Sequence, residues 1–126
     1  MGGHLDHPTY EQVCSGDTGH AETVEVKYDP SEVSYEKLVS LFFALHDPTT
    51  PDQQGPNRGT QYRSVVFANS EVESKVVQEH IRALEEKGAY GGRSIVTHII
   101  DSEPVFWIAE DYHQDYYQKH RGFCSL

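Results

Sequence analysis

Val24-Glu25-Val26-Lys27-Tyr28-Asp29-Pro30, followed by Ser34-Tyr35-Glu36-Lys37-Leu38-Val39-Ser40-Leu41-Phe42-Phe43-Ala44-Leu45, carries two different hydrophobic periods in succession. In the first stretch Val24, Val26 and Tyr28 alternate with Glu25 and Lys27, the period of a strand with one wet face, and Asp29-Pro30 ends it. In the second, Ser34 can cap a helix in which Tyr35, Leu38, Phe42 and Leu45 recur at helical spacing, with Val39 and Leu41 beside them. His46-Asp47-Pro48 stops that helix. The alternation continues downstream. Tyr62 to Ala68, with Val65-Val66-Phe67 at its centre, reads as a buried strand. Ser70 and Glu73 have capping-box spacing ahead of a helix with Val72, Val76, Val77, Ile81 and Leu84 as its buried stripe, and Gly88 as its stop. Ile95 to Ile100 reads as another strand, Val105-Phe106-Trp107 as a short apolar piece, and Ala109 to Lys119 as a last helix. Connections too varied for a regular doubly wound sheet predict an α+β fold, a two-layer sandwich with helices packed on a mixed sheet. The first strand begins only after residue 22, so the sheet is expected to lack a member.

At 126 residues with a formal charge of -10, the chain is one domain, acidic and large enough for a modest core. Acidic side chains twice as numerous as basic ones argue against a nucleic-acid backbone as partner. No apolar run approaches bilayer length and no secretory leader is seen, which gives a cytoplasmic protein with no membrane contact as the expectation. Cys14 and Cys124 lie near opposite ends, without a Cys-x-x-Cys pair, and the eight histidines lack ligand spacing, so no metal is expected.

Before Val24 the chain is dense in turn formers and polar side chains, the kind of loop that carries chemistry. Glu22 stands where this loop meets the strand; half burial there would favour its protonated form and make it a proton donor, while the simpler reading is a solvated surface carboxylate. Tyr10 and Tyr62 could bring phenolic hydroxyls to the same place or merely pack at a core edge. Gly59-Thr60-Gln61-Tyr62-Arg63-Ser64 puts hydrogen-bonding side chains at the entry of an apolar strand, where buried polar groups need partners. His113 is expected to be a hydrogen-bonded structural histidine at a helix start. The loop from Pro48 to Gly59 is too long for a tight turn and is a further functional candidate. Cys124, close to the end, is either an inert thiol or one free to exchange with another sulfur.

Pro8-Thr9-Tyr10 with Val13-Cys14-Ser15-Gly16, Thr18-Gly19-His20-Ala21-Glu22, His46-Asp47-Pro48-Thr49, Gly59-Thr60-Gln61-Tyr62-Arg63-Ser64 and Ala109-Glu110-Asp111-Tyr112-His113-Gln114 together resemble the peptide methionine sulfoxide reductase A family, in the family's order and over essentially the whole chain. The resemblance implies the family fold, with a ferredoxin-like core, and reduction of the S epimer of methionine sulfoxide, free or in oxidised proteins. A thiolate attacks the sulfoxide sulfur, and the oxygen leaves only once it is protonated. By resemblance Glu22 is the acid, Tyr10 and Tyr62 hold and polarise the oxygen, and His20, Gln61 and Asn57 belong to the substrate site. Cys124 matches the resolving cysteine, which captures a sulfenic acid as a disulfide for thioredoxin, or another dithiol, to reduce; no bound cofactor is implied. Cys14 matches a frequent family cysteine that is not the nucleophile. Asn57 stands where the family usually has Asp, which keeps the hydrogen-bonding shape and removes the charge. The family's nucleophile belongs to a Gly-Cys-Phe-Trp signature that occurs nowhere in this sequence. The expectation is therefore a single domain over residues 1–126, incomplete at its N-terminus, with the thiol segment preceding Met1. The alternative is an inactive fragment or paralogue that binds methionine sulfoxide or completes its site with another chain.

Overall fold

A computed structural model describes residues 1–102 and 104–119. Its centre is a β-α-β unit: β3, Val65–Phe67, leads into helix α3, Glu71–Glu86, which returns to β4, His98–Ile100, and β3 and β4 pair in parallel with Val66 opposite Ile99. Parallel neighbours require such a crossover. Helix α2, Tyr35–Leu45, packs against α3, and the two helices form the second layer. Val39, Phe43 and Val77 are the buried heart of the core, with Phe42, Val66, Ile81, Leu84 and Ile99 packed around them. Val39 and Val77 are among the residues that the helical periods single out; Phe43 is not, and Leu41, Leu45 and Val72, which are, stand exposed.

Local chemistry sets the helix ends. Ser34 accepts from the Lys37 N–H and Ser70 from the Glu73 N–H, each satisfying a donor of the first turn. The Glu73 carboxylate in turn accepts from the Asn69 N–H at 2.7 Å. Gly88, with φ +65, takes the left-handed position just beyond α3. Helix α2 ends in His46, whose Nδ1–H donates to the Phe42 carbonyl at 2.7 Å; Nε2 is then an acceptor for the Ser64 hydroxyl at 2.7 Å. Ser64 accepts in turn from Thr97 at 2.7 Å, so three hydroxyl and imidazole groups join α2 to both strands of the sheet.

The loop after His46 is folded rather than open. Asp47 accepts from the N–H and hydroxyl of Thr49 and pairs with Arg93 at 3.2 Å, and these donors hold its carboxyl below the usual range. Beyond it β1, Gln53–Gln54, and β2, Asn57–Arg58, form a short antiparallel ribbon.

Two expected elements are absent among the described residues. Residues 24–28 run without helix, turn or bend, yet pair with no strand, and Val24 is 85 % exposed. Alternation marks a side chain's face, whereas a strand exists only when a neighbour takes its backbone groups. The last helix is broken as well: a 3₁₀ turn, Asp111–His113, is followed by Asp115 at φ +54 and a short α4, Tyr116–Lys119. A left-handed residue cannot continue a helix.

Candidate active site

The polar loop before Val24 contains a helix that its polarity hides. Thr9 caps α1, Tyr10–Cys14, in a reciprocal box: its hydroxyl accepts from the Gln12 N–H, and the Gln12 side chain accepts from the Thr9 N–H. Tyr10 and Cys14 stand four residues apart and therefore share a face of this helix. The Glu110 carboxylate, from the far end of the chain, accepts from the Tyr10 N–H at 3.0 Å, and that bond is the main reason its own carboxyl lies below the usual range.

Behind α1 the chain is pinned to itself. His20 is buried, accepts from the Gly3 N–H through Nδ1 at 3.0 Å, and so must donate from Nε2 to the Leu5 carbonyl at 2.8 Å. Neither ring nitrogen remains for a ligand. A Cβ at Gly3 would lie 2.3 Å from the Thr18 carbonyl oxygen, so only glycine permits this approach. Ala21, also buried, donates to the Met1 carbonyl at 2.9 Å.

The third wall is the 3₁₀ turn Thr60–Tyr62. Its Gln61 carbonyl accepts from the Glu22 N–H at 2.9 Å, Gln61 Nε2 donates to the Cys14 carbonyl at 3.2 Å, and Arg63 donates to the Gly19 carbonyl at 3.1 Å. Three contacts thus lock the turn to Glu22 and to the loop that precedes it. Gln61 itself is buried, and its Oε1 has no hydrogen-bond partner.

Tyr10, Cys14, Glu22 and Tyr62 lie close enough to perturb one another electrostatically. The Cys14 thiol, accepting from the Tyr10 hydroxyl, pushes that phenol up to about 12, with lesser contributions from Glu22 and Tyr62. Burial, then the charge on Glu22 and Cys14, raises the Tyr62 phenol too. The ordinary phenol value of 10.0 already keeps both hydroxyls protonated at neutral pH, and these neighbours only push it further up. Glu22 is exposed, not half buried, among the described residues. Cys14 is exposed and forms no disulfide among the described residues. Cys124 lies outside the described residues, and Asn57 is an exposed residue of β2 across from Gln54.

Around this cluster stands an aromatic rim that the sequence does not announce. The His113 ring packs on Tyr10 at 4.2 Å and on Tyr112 at 4.3 Å, and His7 meets Trp107 at 4.3 Å. His113 packs against rings instead of hydrogen-bonding through its Nε2, which is buried without a partner, 3.9 Å from Glu110. Tyr10 and Tyr112 are about a hundred residues apart, so no spacing rule could join them; the signal is the cluster of Tyr and His around Glu110. Glu22 and Tyr62 also border a cleft of about 760 Å³ that runs between α2, residues 24–28 and β3 and is walled mainly by apolar side chains, Leu38, Phe42 and Phe67 among them. No cluster of three or more His, Cys, Asp or Glu suited to a metal occurs among the described residues. Nor is any helix among them long and apolar enough to cross a membrane.

The family profile of peptide methionine sulfoxide reductase matches residues 1–126. The chain is similar to the peptide methionine sulfoxide reductase MsrA of Methanothermobacter thermautotrophicus, 48% identical over 127 residues that cover 100% of this chain and 74% of the relative. The MsrA of Sulfolobus acidocaldarius is 45% identical over 127 residues, covering 99% of this chain and 70% of its own. Among solved structures, methionine sulfoxide reductase A of Corynebacterium diphtheriae superposes with a TM-score of 0.87 at 38% identity over 98% of this chain. Reduced Mxr1 of Saccharomyces cerevisiae gives 0.83 at 38% identity over 93% of it. The chain spans 62% of each of these two solved relatives.

Proposed function

The chain belongs to the peptide methionine sulfoxide reductase family, and from that premise we propose that it forms the acid and oxygen-binding side of a site that reduces methionine S-sulfoxide, free or in oxidised proteins. The observation that carries this reading is the gathering of Tyr10, Tyr62 and Glu22 at one place, near enough for the charge of Glu22 to act on both phenols. The S=O bond is polar, and its oxygen must gain a proton as the S–O bond breaks. Hydroxyl donors aimed at that oxygen stabilise the charge that develops on it, and Glu22, exposed at the same place, has the acid role from the family resemblance. The attacking thiolate takes the oxygen and becomes a sulfenic acid, while the substrate leaves as methionine. A second thiol, Cys124 by its place in the sequence, then condenses with the sulfenic acid, releasing water and forming a disulfide that thioredoxin or another dithiol reduces.

His20 acts in this reading as a positioning residue. With both nitrogens engaged inside the chain, it fixes the backbone that leads into Glu22. Gln61 does the same from the other side through Cys14 and Glu22. Asn57 lies at the border of the cleft, where its amide can hydrogen-bond without adding charge. Gly-Cys-Phe-Trp, the signature to which the family's nucleophile belongs, does not occur in the 126 residues.

The test supplies a segment with that signature, fused ahead of residue 1, and measures methionine formation from S-sulfoxide and R-sulfoxide substrates with dithiothreitol. Turnover of the S epimer alone is expected, and Glu22→Gln should lower kcat by about 10²–10⁴-fold. Full activity in Glu22→Gln, or equal use of both epimers, would overturn the assignment.

A further inference from the structure

Helix α1 has only five residues, too few to hold itself in water, so contacts from outside it must fix where Tyr10 points. Its capping box engages the N–H groups of Thr9 and Gln12. The N–H of Tyr10, the first helical residue, goes instead to Glu110 Oε1 at 3.0 Å, across a separation of 100 residues. A hydrogen bond to an ionised carboxylate is of the stronger kind.

Glu110 is itself held. It opens the 3₁₀ turn Asp111–His113, where its carbonyl accepts from the His113 N–H at 2.9 Å, and the Gln114 side chain closes the turn by donating to the Ala109 carbonyl at 3.0 Å. The same turn carries the His113 ring, 4.2 Å from the Tyr10 ring, and sets its Nε2 3.9 Å from Glu110 Oε2. One carboxylate oxygen of Glu110 is therefore on the backbone of Tyr10, and the other faces the imidazole that packs on the Tyr10 ring. A swing of α1 would break both contacts together.

We propose that Glu110 is a positioning residue for the reductase site: its carboxylate fixes the first turn of α1 and, through it, the direction of the Tyr10 hydroxyl. Its effect on turnover rests on the reductase reading, whereas the contact itself does not. An amide oxygen can accept the same N–H with less strength, so Glu110→Gln should retain part of what Glu110→Ala loses. Glu110 is partly exposed and outside the buried apolar cluster, so neither variant threatens the fold, and circular dichroism should be unchanged.

In the 126-residue chain the Tyr10 amide should exchange with solvent at least about tenfold faster in Glu110→Ala than in the wild type, with Glu110→Gln in between. Selective tyrosine labelling for NMR reads the hydroxyl. The Tyr10 phenol, raised to about 12 first of all by its bond to Cys14, should fall towards 10.0 in Glu110→Ala as that pairing loosens. In the chain fused for activity, Glu110→Ala should lower kcat by about tenfold with little change in KM, and Glu110→Gln should recover most of it. In a Tyr10→Phe background Glu110→Ala should add no further loss, because the group that it positions is gone. Losses that multiply in the double variant would overturn the proposal. So would a Tyr10 amide and phenol that Glu110→Ala leaves unchanged, or a Glu110→Gln no better than Glu110→Ala. If the wild-type fusion reduces no sulfoxide, the reductase reading falls, and the amide and the phenol alone decide the role of Glu110.

Discussion

Tyr35 carries a hydroxyl that is buried without a hydrogen-bond partner, and burial, followed by the charges of Glu73 and Tyr28, pushes its phenol up to about 12. An unpaired buried hydroxyl costs stability, so Tyr35→Phe is expected to leave the protein unchanged or to stabilise it by up to about 1 kcal/mol, read by urea unfolding at neutral pH. The usual aromatic-core substitution would do the reverse. The sign at alkaline pH follows from the raised value. Above the ordinary value of 10.0 the unfolded chain ionises this phenol and the folded chain does not, so unfolding is favoured progressively as pH rises from about 10 towards about 12. The wild type should lose stability over that window more steeply than Tyr35→Phe; equal slopes would show that the hydroxyl is solvated. At this scale Tyr10, Glu22 and Tyr62 were legible as candidates because their motifs are distinctive, and the structure brings them together with Cys14. The engagement of both nitrogens of His20 was not legible. It depends on Gly3 and Leu5, 17 and 15 residues away, and on an approach only glycine allows.

Helix α3 shows which element properties sequence dictates. Its cap, stripe and stop are encoded within a turn of where they act: Ser70 caps, Val77 in the stripe is fully buried, and Gly88 takes φ +65, while Val72, read as the start of the stripe, is exposed. Ser70→Ala should cost about 1 kcal/mol through one unsatisfied N–H. Val77→Ala, which empties space in the middle of the core, should cost about 2 kcal/mol or more. Chemical denaturation of both variants checks the order, and a cap that outweighed Val77 would mean that helix propensity, not packing, dominates α3. Elements that depend on distant partners were not readable in this way. Residues 24–28 have the strand period without a partner, the end of the chain has helical spacing interrupted at Asp115, and α1 hides in a segment too polar to show a period. Its Thr9-x-x-Gln12 box was the available signal.

Among the described residues Val39, Phe43 and Val77 form the buried apolar cluster, and the cleft between α2, residues 24–28 and β3 is open to solvent. A cluster of that size implies modest stability and a gain from any contact that covers the cleft. The formal charge of -10 adds self-repulsion within the folded chain at low salt. At about 0.15 M salt the screening length falls to about 8 Å and damps that repulsion. Tm is therefore expected to rise as salt is raised from about 0.01 M to about 0.15 M, read by calorimetry at the two concentrations. A flat Tm would mean that the acidic side chains lie too far apart to repel one another, and that the stability of the α2, α3 and β3–β4 core is set by packing alone.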